Sequence, residues 1–157
     1  MFSLENNMIL NNLNEAMADE WLAMFQYFTE VRILEESNFK QTIIKELKQH
    51  AMEEYKHAGW IANRIMELGG TIITNPSDLI ITSGCGIIEP KNSNSIIILD
   101  EAIKGERCAI ESYTNMAQIA KMNNDLITYD MFMRIIEDEL NHEKELNQLK
   151  EIYASSN

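Results

Sequence analysis

Glu53-Glu54-Tyr55-Lys56-His57 and Asp138-Glu139-Leu140-Asn141-His142 repeat one pattern, an acid followed by Glu-x-x-His. Residues three apart share one face of an α-helix, so each Glu-x-x-His presents a carboxylate and an imidazole to a common point. The flanking residues carry the helical period. Around the first motif, Ile43, Ile44, Leu47, Met52, Trp60, Ile61, Ile65 and Met66 recur at three- and four-residue steps. Around the second, Ile127, Phe132, Ile135, Ile136, Leu140, Leu146, Leu149 and Ile152 do the same. The spacing predicts helices over about 39–68 and 125–153 that turn these residues toward a core.

Each of these helices is preceded by another. Leu10, Leu13, Met17, Met24, Tyr27, Phe28 and Val31 predict a helix over 4–34, and a fourth is predicted over 95–122. Asn38 reads as an N-cap with Gln41 as its capping-box partner, Gly69-Gly70 as a stop, Asn123-Asn124 as a break and Asp125 as the next cap. Residues 69–94 contain both prolines, Pro76 and Pro90, and cannot continue a long helix. Within them, Asn75 to Ile81 suits a short helix with Pro76 in its first turn. Two short connections and one long one predict an all-α, single-domain four-helix bundle with a crossover between the second and third long helices.

Such a crossover makes the two halves repeats, and the chemistry repeats with them. Glu20 lies thirty-four residues before Glu54, and Glu106 thirty-three before Glu139. Tyr27 and Tyr113 each follow their glutamate by seven residues, two turns along the same face. One glutamate from each of two helices and Glu-x-x-His from each of the others is the dinuclear carboxylate arrangement of helical bundles. Oxygen and imidazole donors without thiolate suit iron, manganese or zinc. The candidate metal-binding and catalytic residues are therefore Glu20, Glu54, His57, Glu106, Glu139 and His142. Tyr27 and Tyr113 belong to the same layer, and Glu53 and Asp138 are placed to orient imidazoles. Four buried carboxylates repel one another, and two divalent cations would neutralise the set. With nineteen glutamates in 157 residues a single Glu-x-x-His is weak evidence, but a metal-free bundle would need six matched positions to coincide. His50 has Leu47 three places before it, falls outside the pattern and reads as a packing residue.

Composition excludes other classes. Six glycines and two prolines argue against an all-β fold, and 45% hydrophobic with 24% charged residues against disorder. A net charge of -12 without a basic tail argues against nucleic acid and anionic membranes as partners. The longest Ile/Leu run, Ile96 to Leu99, is too short to span a bilayer, and the first residues lack a basic segment followed by an apolar one, so a cytoplasmic setting is expected. Cys85 and Cys108 are too few for a secreted disulfide scaffold.

The segments Glu20-Trp-Leu-Ala-Met-Phe-Gln26-Tyr27, Glu54-x-x-His57 and Glu139-x-x-His142 are similar to bacterioferritin, and over all four helices the chain resembles the ferritin-like superfamily. It departs from bacterioferritin in three ways. Tyr55 stands where bacterioferritin has its haem-ligating Met, so haem is not expected. Only fifteen residues follow His142, which leaves no fifth helix to support a 24-subunit shell. The 69–94 connection has room for the extra helix of Dps proteins. With cysteines in Ser83-Gly84-Cys85-Gly86 and Glu106-Arg107-Cys108, the chain resembles the Dps-like thioferritins. That resemblance implies a hollow homododecamer that takes up two Fe ions per subunit, with Mn or Zn able to replace them. It implies a ferroxidase that oxidises Fe(II) preferentially with hydrogen peroxide rather than O2, stores Fe(III) and protects against oxidative stress. Cys85 and Cys108 read as a redox-active or structural pair; Cys108, two residues from Glu106, is near the metal layer but points away from that ligand's direction on the helix. Rival readings are a bacterioferritin-type 24-mer, a Dps-type DNA-coating protein disfavoured by the missing basic tail, and a rubrerythrin- or manganese-catalase-like peroxidase without storage. The rubrerythrin version lacks its Cys-x-x-Cys pair.

Overall fold

The long helices stop where local chemistry stops them. The computed structural model describes residues 4–35 and 40–155, and they form α1 (Leu4–Glu35), α2 (Gln41–Glu67), α3 (Pro76–Thr82), α4 (Ser95–Met122) and α5 (Leu126–Ala154). Gly69, at φ 75°, takes the left-handed conformation that closes α2, and the amides of Gly69 and Gly70 bond the carbonyls of Met66 and Ile65 at 2.9 and 2.8 Å. Asn124 makes the corresponding turn between α4 and α5 at φ 58°. Asp125 caps α5 by accepting from the Thr128 amide at 3.1 Å, and Asn75 caps α3 ahead of Pro76. At the start of α2 the structure differs from the expectation: the helix begins at Gln41 rather than 39, and Lys40 precedes it without a side-chain cap. Asn38, the expected cap, lies outside the described residues.

α1 packs on α2 and α4 on α5, while α1 with α4 and α2 with α5 close the four-helix bundle; α3, in the crossover, lies against α1. Arg64 pins the end of α2 to the start of α5, donating through Nε to Thr128 Oγ1 at 2.9 Å and through Nη2 to Asp125 Oδ1 at 2.8 Å. The apolar interior is divided in two. One cluster gathers Leu13, Met17, Ile61, Ile65, Phe132 and Ile135; the other gathers Val31, Leu34, Leu47, Ile98, Leu99 and Leu146. Between them lies the layer of acids and histidines.

Five residues expected in the core, Met52, Met66, Ile127, Leu140 and Ile152, are instead at least 50% exposed. These helices carry apolar residues on more than one face, and a three- and four-residue spacing reports a face without saying which one meets the bundle. Among the described residues no helix is long and apolar enough to cross a membrane.

Candidate dinuclear metal centre

All six candidate ligands converge in the middle layer, each at most 4% exposed: Glu20 from α1, Glu54 and His57 from α2, Glu106 from α4, Glu139 and His142 from α5. The Nδ1 atoms of the two histidines mark two centres. His57 Nδ1 lies 3.2 Å from Glu54 Oε2, 3.1 Å from Glu139 Oε1 and 3.5 Å from Glu20 Oε2. His142 Nδ1 lies 3.2 Å from Glu54 Oε1, 3.0 Å from Glu139 Oε2 and 3.7 Å from Glu106 Oε1. Glu54 and Glu139 thus give one oxygen to each histidine, while Glu20 and Glu106 serve one each. Two groups of potential ligands result, Glu20/Glu54/His57/Glu139 and Glu54/Glu106/Glu139/His142, with atoms of each group within 4.8 Å of one another.

The electrostatics are those of a crowded, dry acid cluster. Burial, and then the charges of Glu139 and Glu54, push the carboxyls of Glu20 and Glu106 well above the ordinary range. Burial also acts on Glu54, but the imidazoles of His142 and His57 beside it outweigh it and hold this carboxyl low. Burial disfavours charge on the imidazoles, yet the surrounding carboxylates raise both, Glu139, Glu20 and Glu54 acting on His57 and Glu106, Glu139 and Glu54 on His142. The layer therefore demands positive charge at its centre. Glu20 Oε1, Glu54 Oε1 and Glu139 Oε1 are buried acceptors without a hydrogen bond, which fits them to ligate cations rather than to be satisfied by protein donors.

The histidines are held from behind by the opposite helix. His57 Nε2, on α2, meets Asp138 Oδ2, on α5, at 3.0 Å; His142 Nε2, on α5, meets Glu53 Oε2, on α2, at 2.6 Å. A carboxylate at Nε2 favours the proton there and leaves Nδ1 free as a ligand. Each acid stands behind the other helix's histidine.

A ferritin-like domain profile matches residues 10–153. The chain belongs to the ferritin-like family. Bacterioferritin of Desulfovibrio desulfuricans is 30% identical over 134 residues, covering 85% of this chain and 69% of its own. The DNA protection during starvation protein of Pyrococcus furiosus is 29% identical over 146 residues, covering 90% of this chain and 76% of its own. Among solved structures, the dodecameric thioferritin of Bacteroides fragilis, a bacterioferritin-related protein, superposes with a TM-score of 0.90 at 30% identity, over 96% of this chain and 89% of its own.

In this ferritin-like chain the crossover closes over one side of the layer. Asp19 accepts from the Ser83 hydroxyl and, at 2.9 Å, from the Cys85 amide, while Gln26 Oε1 accepts from the Ile88 amide at 3.1 Å. Cys85 and Cys108 form a disulfide with their Cα atoms 5.8 Å apart, joining this loop to α4. The disulfide lines the same pocket as Glu20, Glu54 and Glu106.

The two tyrosines, matched in sequence, each stand against a glutamate of the layer: Tyr27 donates to Glu106 Oε1 across the bundle, and the Tyr113 hydroxyl, 3.5 Å from the Ala16 carbonyl, also faces Glu20. No local pattern in the sequence marks Asp19 or Gln26 for holding the crossover loop. A carboxylate and an amide on a helix are ordinary surface residues until a loop covers them.

Proposed function

We propose that this chain oxidises Fe(II) at the six-ligand centre and stores the Fe(III) product inside a hollow homo-oligomer. Glu54 and Glu139 bridge two ferrous ions; Glu20 with His57 holds one, and Glu106 with His142 the other. The observation that carries this reading is the sharing of Glu54 and Glu139 between two four-residue ligand groups. Here iron is substrate and cargo. Two Fe(II) each give one electron to hydrogen peroxide, the O–O bond breaks, two protons are taken up, and two Fe(III) and two waters result. The pairing of two irons avoids releasing a one-electron product.

The residues divide the remaining work. Asp138 and Glu53 hold the imidazoles with Nδ1 toward the ions, Tyr27 holds Glu106, and the pocket along the Cys85–Cys108 disulfide admits the oxidant. A dodecamer is proposed from likeness to the dodecameric thioferritin and peroxide preference from the sequence resemblance alone, and the exposed apolar side chains outside the bundle suit burial between subunits. Tyr55 stands where bacterioferritin has its haem-ligating Met; a phenol replaces the thioether, so no haem site is proposed. The net charge of -12 suits a cation store better than a DNA-coating shell.

The test is an anaerobic ferrous titration followed by peroxide or air, with ferric absorbance and iron retained after gel filtration as readouts. Rapid oxidation by peroxide, slower oxidation by air, many irons retained per chain, and loss of the rapid phase in Glu54→Ala are expected. Two ions bound without accumulation would replace storage by peroxidase turnover, and unchanged oxidation in Glu54→Ala would remove the assigned centre.

A further inference from the structure

Beside the dinuclear centre, the side of the bundle where α2 meets α5 holds a histidine that the centre does not use. His50 is fully buried, its Nδ1 has no hydrogen-bond partner, and its Nε2 is aimed at two acids, Glu145 Oε2 at 3.1 Å and Glu46 Oε1 at 3.7 Å. The three residues each offer one ligand atom, all within 4.8 Å of one another. Glu46 and Glu145 are part-exposed, their side chains at 23% and 42%, so this trio opens to solvent at one end.

Its other end touches the centre. The His50 ring stacks on His142 with centroids 4.0 Å apart, and His50, Glu106 and His142 form a further ligand group within 4.8 Å. Ligand atoms thus run without a break from Glu145 at the surface to the buried pair Glu106 and His142.

The internal repeat supplies a control. α2 and α5 are related by a shift of eighty-five residues, which takes Glu54 to Glu139 and His57 to His142. The same shift relates Glu46 to Met131, His50 to Ile135 and Glu145 to Trp60. Ile135 is fully buried, with Met131 and Trp60 packed against its cluster. Apolar side chains fill the corresponding space, so packing alone does not call for a histidine and two acids. Burial and the neighbouring Glu145 raise the Glu46 carboxyl above its ordinary range, a cost that a divalent cation between the two would relieve.

We propose that Glu46, His50 and Glu145 form a separate divalent-cation site that receives ferrous ions at the surface and passes them along His50 to the His142 side of the centre. The binding site stands on its own geometry; the transfer role rests on the ferroxidase reading. Crystals of the apo-protein equilibrated with Co(II) and measured at the cobalt edge test the site. An anomalous peak between Glu46, His50 and Glu145 is expected beside two peaks in the centre. In the double variant Glu46→Gln, Glu145→Gln the outer peak should vanish while both inner peaks remain. Filled inner positions with an empty outer one in the wild type would overturn the proposal, and a filled outer position with an empty centre would overturn the ferroxidase reading alone. For the transfer role, the initial rate of Fe(II) oxidation at sub-saturating iron should fall several-fold in the double variant. An unchanged rate would leave a binding site but no relay.

Discussion

The two apolar clusters and the layer between them are equally buried and energetically opposed. In the clusters, side chains such as Leu13, Phe132, Leu47 and Ile98 are withdrawn from water almost completely, and removing apolar surface from water stabilises the fold by about 25 cal/mol per Å². In the layer, Glu20, Glu54, Glu106, Glu139, His57 and His142 are withdrawn as fully, but each ionised group loses hydration that only opposite charge returns. The clusters hold the helices at the spacing that forces the acids together. The apolar ends thus carry the stability which the ionisable middle consumes, and cations bound in the layer would reverse the sign of the middle.

The comparison breaks first if the clusters are weaker than this. Phe132→Ala should cost the apo-protein about 3–5 kcal/mol in denaturant unfolding, because a buried aromatic ring leaves a cavity that the helices cannot close. A loss near 1 kcal/mol would mean that the end cluster is loosely packed.

Next comes an acid outside the centre. Glu30 is fully buried, accepts from Gln26 Nε2 at 2.9 Å, and is pushed up to about 8 by burial and, against the Gln26 bond, by Glu101. The native state keeps this proton to about pH 8, whereas the unfolded chain releases it near 4.5, so stability falls as pH rises through that window. Glu30→Gln should remove this part of the slope, raising stability at pH 8 by up to about 4 kcal/mol with little change at pH 4. Parallel pH profiles of wild type and variant would show that Glu30 is not held neutral.

The layer's sign change is tested with metal. Zn(II) at a hundred-fold excess over its dissociation constant should stabilise the wild type by about 3 kcal/mol per site and Glu54→Ala by much less, read as the shift of the thermal transition. An equal shift in both proteins would place the metal elsewhere. The smallest effect concerns the helix ends that frame the layer. Asp125→Ala removes the α5 cap and the Arg64 contact and should cost about 1 kcal/mol. A neutral result would make the junction of α2 and α5 redundant.

Much of this was legible in the residues. The Glu-x-x-His pairs announced themselves because a three-residue spacing fixes a common helical face whatever the surroundings, and the in-register Glu20 and Glu106 supplied the other helices' ligands. Gly69, Asn75 and Asp125 marked helix ends for reasons equally local, the glycine by its left-handed backbone and the other two by capping side chains. His50 reads as packing because Leu47, not a glutamate, stands three places before it, and Glu46 alone does not mark it. Its partner Glu145 is ninety-five positions away on α5. The crossed pairs His57 with Asp138 and His142 with Glu53, the straps from Asp19 and Gln26, and the outward turn of Met52 and Leu140 depend likewise on how one helix is rotated against the next.

The sequence by itself determined the helices, their order and the six candidate ligands, since helical period and repeat are properties of neighbours along the chain. The tertiary structure alone decided which face of each helix met the others, which acid stood behind which histidine, and that Cys108 shares a pocket with the centre. Those outcomes follow from packing between segments far apart in the chain, and no periodicity within one segment encodes them.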